Sequence, residues 1–245
     1  MRSVPETIKQ LIIINIIFYF GSQFLGDISY DILALHYFEN DKFLISQLVT
    51  HMFMHGSPSH ILFNMFGLWM FGSPLEQMWG KQKFLFFYFS AGLGAAALQM
   101  FVYNVQVQTL YDVVEANNLS LSDPSVLLNY MSQSDYNQAL SSFNSVMVGA
   151  SGAIYGVLVA FAFSFPNSKL MLLFPPIPIK AKYFVPLLIL IDLFFGLSSF
   201  SIGSIAHFAH IGGALIGLIM VLYWKKNQSN SCLLYTSDAA DELRS

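Results

Sequence analysis

Two polar residues with complementary chemistry lie inside long apolar segments of this chain. Ser151 belongs to the run 149–152 (Gly-Ala-Ser-Gly), and His210 belongs to the run 209–213 (Ala-His-Ile-Gly-Gly). Ionisable residues within apolar spans are rare and usually functional. A serine hydroxyl that meets an imidazole forms a nucleophile with its general base. We therefore expect Ser151 and His210 to act together inside a membrane.

Packing offers a second interpretation of Ser151. Small residues at helical spacing permit close helix contact, and a serine among them usually bonds its own backbone. The two segments carry such residues at matching intervals: Gly149, Gly152 and Gly156 in one, Gly213 and Gly217 in the other. Two glycine faces would bring the helices close enough for a hydrogen bond between Ser151 and His210, so packing and catalysis support each other.

The histidine also has competing interpretations. His210 would be structural if its ring only bonded a buried carbonyl, and His207 is a rival base three residues earlier. His207 lies closer to the aqueous end of its segment, whereas the glycines that allow close approach follow His210. We expect His210 to be the base. Asp192 lies in the middle of another apolar segment and is expected to be too deep to orient it, which predicts a dyad.

Other residues are placed to support this chemistry. Tyr155 lies one helical turn after Ser151 on the same face, where its ring would pack on the imidazole or serve as an ordinary interface aromatic. A tetrahedral intermediate needs hydrogen-bond donors. His60 and Asn64, one turn apart, and the Ser151 backbone N–H are the candidates.

The histidines at 51, 55 and 60 do not form a recognisable metal site. His51 and His55 could join His60 as zinc ligands, but the His-Glu-x-x-His signature is absent and no carboxylate or cysteine completes a site. His51 and His55 are instead expected to bond a folded-back external loop. With Cys232 as its one cysteine, the chain offers no internal disulfide or cysteine-rich metal site. We expect no metal and no cofactor.

Composition indicates what positions these residues. Charged residues make up 10% of the chain and hydrophobic residues 55%, whereas an average soluble domain is about 25% charged. The net charge of −3 gives no reason to expect nucleic acid as a partner, and no phosphate-binding glycine loop is present. The chain is expected to lie in a lipid bilayer.

Apolar stretches of about 20 residues recur along the chain. They predict an all-α, polytopic membrane bundle with six transmembrane helices: 8–25, 60–79, 84–103, 145–165, 183–197 and 205–224. The first is interpreted as a retained span, because no small-residue cleavage site follows it.

Basic residues predict the orientation of the bundle. Nine of them fall on one side and Lys42 alone on the other, and the positive-inside rule makes the richer side cytoplasmic together with both termini. The nine residues are Arg2, Lys9, Lys81, Lys83, Lys169, Lys180, Lys182, Lys225 and Lys226. The second, fourth and sixth spans then enter from the external side. Asn64, Ser151 and His210 each fall on the order of 10 Å below the outer surface.

The segments outside the spans complete the predicted layout. The membrane domain covers 1–226, with external loops 26–59 and 105–144. The first loop is expected to include short amphipathic helices at the interface, and the second to be a polar loop with a helical turn or two. Prolines at 175–178 break the chain between spans four and five. Residues 227–245 form a tail, of which 233–245 is interpreted as foreign sequence.

Together these blocks resemble the rhomboid family of intramembrane serine proteases, in its bacterial six-span form. The resemblance runs over most of 8–224. It rests on His-Met-Phe-Met-His at 51–55, His-Ile-Leu-Phe-Asn at 60–64, the run 149–152 with Tyr155, and the run 209–213 with Gly217. Family members commonly carry an aromatic residue followed by Gln or Arg in the first external loop, where this chain has Ser46-Gln47. The resemblance therefore does not predict how that loop is anchored.

The resemblance implies a role for each matching residue. Ser151 would be the nucleophile, His210 the general base, and His60 with Asn64 the oxyanion stabilisers. Tyr155, Gly149 and Gly152 would support the site, and Glu76 would make structural hydrogen bonds near the inner end of the second span.

The expected activity is a serine endopeptidase that cuts single-span or polytopic membrane proteins in or near their transmembrane segments. It would reside in a bacterial inner membrane, with its site open to the external side. The residues 196–204 would form a mobile cap, and the fifth span a lateral gate. Two alternatives stay open: a non-proteolytic rhomboid-like protein that binds client helices, and a small transporter that uses His60, His210 and Asp192 to relay protons.

Overall fold

The computed structural model describes residues 4–120, 124–171, 177–197 and 206–242, without the side chains of 124 and 228–242. It confirms the predicted all-α class. The helices are α1 (Glu6–Leu25), α2 (Asp27–Leu33), α3 (Gln47–Thr50), α4 (Pro58–Gly67), α5 (Ser73–Trp79), α6 (Lys81–Ala116), α7 (Pro124–Leu127), α8 (Gln133–Asn144), α9 (Ser151–Ser164), α10 (Ala181–Leu197) and α11 (His207–Glu242). Two short antiparallel pairs accompany them: β1 (Leu35–His36) with β2 (Val146–Met147), and β3 (Lys169–Met171) with β4 (Pro178–Lys180).

Among the described residues, three helices are long and apolar enough to cross a bilayer: Glu6–Leu25, Lys81–Ala116 and His207–Asn227. Helix α9 is a shorter apolar helix. Helices α1 and α10 expose rows of Ile, Leu and Phe side chains, as expected of faces that contact lipid. The count of six spans stays a prediction.

Helices α9 and α11 pack against each other through their glycines. A Cβ added at Gly213 would overlap the Gly152 backbone, and one added at Gly217 would lie 2.6 Å from Gly156 Cα. Helix α6 packs equally closely against α11, because a Cβ at Gly212 would lie 2.6 Å from the Gly94 carbonyl oxygen. The close approach predicted from the glycine spacing is therefore present.

The predicted second span is built from α4, a π-helical turn at Leu68–Gly72 and α5. The Ser57 hydroxyl caps α4 by accepting from the His60 N–H at 3.1 Å, and Pro58 takes a position where a missing N–H costs nothing. The π turn precedes Pro74, which cannot donate the regular helical hydrogen bond. The kinked span thus carries His60 and Asn64 on its first helix.

Glu76 ties the second span to the first helix. Its carboxylate accepts the backbone N–H groups of Thr7 at 3.0 Å and Ile8 at 2.9 Å. These donors lie in the first turn of α1, where no intrahelical partner is available. The structural hydrogen bonds that the resemblance implied for Glu76 are therefore present, and they join two helices at their ends.

The segment 105–144 differs from the predicted polar loop. Helix α6 continues through it to Ala116, because no Gly or Pro interrupts the chain after Gly94. At about 1.5 Å per residue, the 36-residue α6 is nearly twice as long as a bilayer core is thick. Its outer part packs against α7 and α8 through an apolar cluster of Leu110, Leu127, Tyr136 and Ala139.

The fourth span also begins later than predicted. Residues 146–147 pair with β1, and α9 starts only at Ser151 rather than at 145. Gly149 has φ 120°, a conformation that side-chain-bearing residues rarely adopt. This turn separates strand from helix and leaves Ser151 as the first residue of α9.

The loop 26–59 folds into short elements, as expected, and Gln47 anchors it. The Gln47 amide donates to the carbonyls of Asp31 and Lys42 at 2.9 Å each, and its oxygen accepts the N–H groups of His36 at 3.3 Å and Leu44 at 3.1 Å. A buried glutamine therefore fixes the loop at the position where the chain departs from the family pattern.

Some predicted features lie outside the described residues. These are most of the proposed cap at 196–204, the proline-rich break up to 176, and the side chains of the tail expected to be foreign. The backbone of α11 continues through the tail to Glu242.

Candidate active site

Ser151 lies at the N-terminus of α9, held there by its neighbours. The Gly149 N–H donates to the His51 carbonyl at 2.9 Å, which ties the turn before α9 to the loop 26–59. The Ile154 N–H donates to the Ala150 carbonyl at 3.0 Å. The N–H groups of the first helical residues, beginning with Ser151, have no partner within their own helix. The Ser151 hydroxyl therefore lies beside backbone donors and the positive end of a helix.

His210 lies in the first turn of α11 and faces Ser151. The Gln99 side chain on α6 accepts the Ala209 N–H at 3.1 Å, which fixes the start of α11. The His210 Nε2 atom lies 2.8 Å from Ser151 Oγ, a hydrogen-bond distance. The structure thus brings together the two residues that the sequence singled out, through the glycine contacts of α9 and α11.

The ring of Tyr155 packs against the imidazole of His210. The two rings are stacked, with centroids 4.2 Å apart and planes 9° from parallel. Because Tyr155 follows Ser151 by one turn of α9, one face of this helix carries both the Ser151 hydroxyl and the Tyr155 ring that packs on His210. The ring contact expected from the spacing is present.

Asp192 corrects one expectation, since it is not too deep to reach His210. Its Oδ1 atom lies 3.2 Å from His210 Nδ1, and its Oδ2 accepts from the Tyr155 hydroxyl. The carboxylate therefore lies level with the first turn of α11, which carries His210. Its position in the middle of the sequence segment overstated its depth.

The rival base His207 lies on the far side of Asp192. Its Nδ1 atom is 2.6 Å from Asp192 Oδ1, the same oxygen that faces His210. In the described part of the chain the hydroxyl of Ser151 is bonded by His210 and not by His207. The geometry thus favours His210 as the base.

His60 and Asn64 line the cavity of about 1180 Å³ that contains Ser151 and His210. A Cβ at Gly149 would lie 2.7 Å from His60 Nε2 and 3.7 Å from Ser151 Oγ, so the imidazole and the hydroxyl flank this glycine. The Asn64 amide donates to the His60 carbonyl at 2.8 Å. Both candidate oxyanion donors therefore border the space in front of the Ser151 hydroxyl.

His51 and His55 are buried in the loop beside this cavity. His51 Nδ1 lies 2.7 Å from the Gln47 carbonyl, and the His55 ring packs edge-on against His60 with centroids 4.9 Å apart. Burial lowers the pKa of each to about 4; the carbonyl bond partly opposes this for His51, and His60 adds to it for His55. Both are therefore neutral at pH 7. His51 bonds the loop, as expected.

Asp192, His207 and His210 also form a group whose ligand atoms lie within 4.8 Å of one another. The 2.6 Å separation of His207 Nδ1 from Asp192 Oδ1 is a hydrogen-bond distance. Two ligands of one ion, each about 2 Å from it, would lie farther apart. The contacts fit a hydrogen-bonded network, and the absence of a metal stays a prediction.

Sequence reasoning missed two residues that position the site. Asp192 carried a signal, because a carboxylate within an apolar helix is expected to be functional, but the depth estimate set it aside. Gln99 carried no signal, since its contact with Ala209 joins positions 110 residues apart.

A family model for the rhomboid domain matches residues 43–227. Rhomboid protein 1, mitochondrial, of Saccharomyces cerevisiae is 25% identical over 179 residues, which are 73% of this chain and 42% of that protein. Rhomboid protease AarA of Providencia stuartii is 29% identical over 183 residues, 70% of this chain and 53% of that protein.

A third relative is the presenilin-associated rhomboid-like protein, mitochondrial, of Homo sapiens. It is 26% identical over 196 residues, 76% of this chain and 41% of that protein. The chain thus spans between two fifths and about half of the length of these curated relatives.

Proposed function

The chain belongs to the rhomboid family, and we propose that it is an intramembrane serine endopeptidase that hydrolyses peptide bonds in or near the transmembrane segments of other membrane proteins. One observation carries the proposal. Ser151 Oγ and His210 Nε2 lie 2.8 Å apart, at the ends of apolar helices and in a cavity large enough for a peptide segment. Nucleophile and base at hydrogen-bond distance are the arrangement that acyl transfer requires.

The reaction proceeds in two halves. Ser151 Oγ attacks the carbonyl carbon of the scissile bond as its proton passes to His210 Nε2. The tetrahedral intermediate collapses, the C–N bond breaks, and His210 gives the proton to the leaving nitrogen. Water then attacks the acyl-enzyme, His210 takes a proton from it, and the proton returns to Ser151 Oγ as the new carboxyl end leaves.

The charge on the carbonyl oxygen needs preorganised donors. The backbone N–H of Ser151, at the positive end of α9, is one of them, and the side chains of His60 and Asn64 border the same space. Removing one donor from such a site typically costs on the order of 10²-fold in kcat. Gly149 and Gly152 leave room for the substrate backbone and for α11.

The substrate helix must open locally before cleavage. A helical peptide bond is shielded by its neighbours, and its backbone hydrogen bonds are costly to break in lipid. We therefore expect small or helix-breaking residues near the scissile bond. The positive-inside pattern supports a cavity that opens to the external side, with both termini in the cytoplasm. The resemblance to the bacterial six-span form supports a bacterial inner membrane.

The test is cleavage of a panel of single-span membrane proteins co-expressed with the chain. Ser151→Ala and His210→Ala are each expected to abolish cleavage and to leave membrane insertion intact. Ser164→Ala, at the other end of α9, makes the same chemical change away from the site and is expected to leave cleavage at the wild-type level. Cleavage by Ser151→Ala would refute the assignment.

A serine-directed fluorophosphonate separates the protease from the alternatives. The wild-type chain should become labelled at Ser151, and the Ser151→Ala and His210→Ala variants should not. A client-binding relative or a proton-coupled transporter has no activated hydroxyl and should not react.

A further inference from the structure

The carboxylate of Asp192 is the point at which three elements of the site meet. It lies on α10, and the groups that face it come from α9 (Tyr155) and from the first turn of α11 (His207 and His210). We infer that Asp192 is the positioning residue for His210, so that Ser151, His210 and Asp192 work as a triad rather than a dyad. This inference rests on the proposed function and assigns a residue that the sequence argument had set aside.

The hydrogen bond to Asp192 determines the tautomer of His210. An ionised carboxylate only accepts, so the groups at Asp192 must donate: Nδ1–H of His207, Nδ1–H of His210 and the hydroxyl of Tyr155. A neutral imidazole that carries its proton on Nδ1 has its lone pair on Nε2. That lone pair faces Ser151 Oγ at 2.8 Å. The Asp192 contact thus leaves His210 in the one neutral form that can accept the serine proton.

The contact between Asp192 and His210 is buried, which strengthens its electrostatic effect. The side chain of Asp192 is 8% exposed, that of His207 8% and that of His210 13%. A buried carboxylate is costly unless several donors satisfy it, and three donors face this one. When His210 takes the Ser151 proton it becomes an imidazolium, and the positive charge then lies beside the Asp192 oxygen. The carboxylate stabilises that charge without accepting a proton itself.

His207 has a separate part in this network. It donates to the same Oδ1 atom as His210 at the shorter distance of 2.6 Å, and its buried Nε2 has no hydrogen-bond partner among the described residues. Together with the Tyr155 hydroxyl on Oδ2, it holds the carboxylate in the plane that faces His210. Tyr155 therefore contacts both members of the pair, through its ring and through its hydroxyl.

The first experiment compares charge with shape in purified protein. Asp192→Asn keeps the volume and removes the charge, and we expect kcat to fall by roughly 10²-fold or more, with KM within a few-fold of wild type. Asp192→Glu restores a carboxylate and is expected to recover a part of that loss. Glu76→Gln is the matched control: it removes another buried carboxylate, remote from the site, and should leave the kcat of the folded protein within about threefold of wild type, a range of about 0.7 kcal/mol.

The second measurement needs no substitution of Asp192. In ¹⁵N-histidine-labelled wild-type protein in detergent, the resonances of His210 are identified by their loss in His210→Ala. We expect a neutral His210 ring with its proton on Nδ1. A proton on Nε2 would overturn the inference, whether or not the Asp192 variants fold.

The outcomes separate this inference from the proposed function. If Asp192→Asn keeps wild-type kcat while Ser151→Ala is inactive, the protease assignment stands and the triad is wrong. Equal losses in Asp192→Asn and Glu76→Gln would also refute it, since the effect would then come from general destabilisation. If Ser151→Ala still cleaves, both proposals fail.

Discussion

Gly217→Ala tests whether helix contact sets the geometry of the site. The Cβ added at Gly217 would lie 2.6 Å from Gly156 Cα, whereas ordinary contact begins at 3.4 Å. The opposing atoms belong to backbone, so no side-chain rotation relieves the overlap. Helices α9 and α11 must therefore separate by up to about 0.8 Å, the difference between these two distances.

That separation is large compared with the tolerance of the Ser151–His210 contact. Carried in full along the helices, it would lengthen the 2.8 Å contact to about 3.6 Å, beyond hydrogen-bond range. A misplacement of about 1 Å typically costs on the order of 10²-fold in rate. Overpacking of a tight contact costs roughly 1–3 kcal/mol. We expect both effects in Gly217→Ala.

The assay is the rate of Ser151 labelling by a fluorophosphonate, measured together with thermal unfolding in the same detergent. Gly21→Ala is the matched control, because a Cβ at Gly21 on α1 meets nothing within 4 Å. It should label at the wild-type rate and be slightly more stable, since alanine is the better helix former. If Gly217→Ala labels within about threefold of the wild-type rate, a range of about 0.7 kcal/mol, the geometric reasoning is wrong.

Two further predictions concern the loop beside the site. Burial lowers the pKa of His51 and His55 to about 4, so below pH 6.5 the unfolded chain binds more protons than the folded chain. The free energy of unfolding should therefore fall as the pH drops from about 6.5 towards 4, by about 2 kcal/mol per histidine at pH 5. Unfolding curves that coincide at pH 7 and pH 5 would contradict this. Gln47→Ala should cost roughly 3 kcal/mol, because it leaves buried backbone groups without partners, and should expose the loop 26–59 to limited proteolysis. Gln133→Ala, which removes an exposed glutamine bonded to Asn137, should change neither measurement.

Local spacing predicted the parts of the site that lie on one helix or on facing glycine rows. Tyr155 follows Ser151 by one turn, and the glycines of α9 and α11 repeat at the same interval, so their contacts follow from helix geometry alone. The class of the fold and the identity of its long helices followed from composition and apolar length.

Contacts between distant elements could not be predicted in the same way. Gln47 anchors its loop through hydrogen bonds to four backbone groups. Neither its residue type nor its position in the sequence indicates which backbone groups it binds. The outer part of α6 also looked like loop, because Gln, Asn and Thr interrupt its apolar pattern. It is helical since nothing breaks the backbone and Leu110 finds an apolar partner surface at α8.

Asp192 shows why depth along a span is a weak guide to the partners of a buried acid. A hydrogen bond is decided by the direction of the side chain and by where neighbouring helices begin. Helix α11 starts only three residues before His210. The first turn of α11 therefore lies level with Asp192, and the carboxylate meets the imidazole there. A lone carboxylate in an apolar helix is therefore better assigned by the donors that face it than by its place in the sequence.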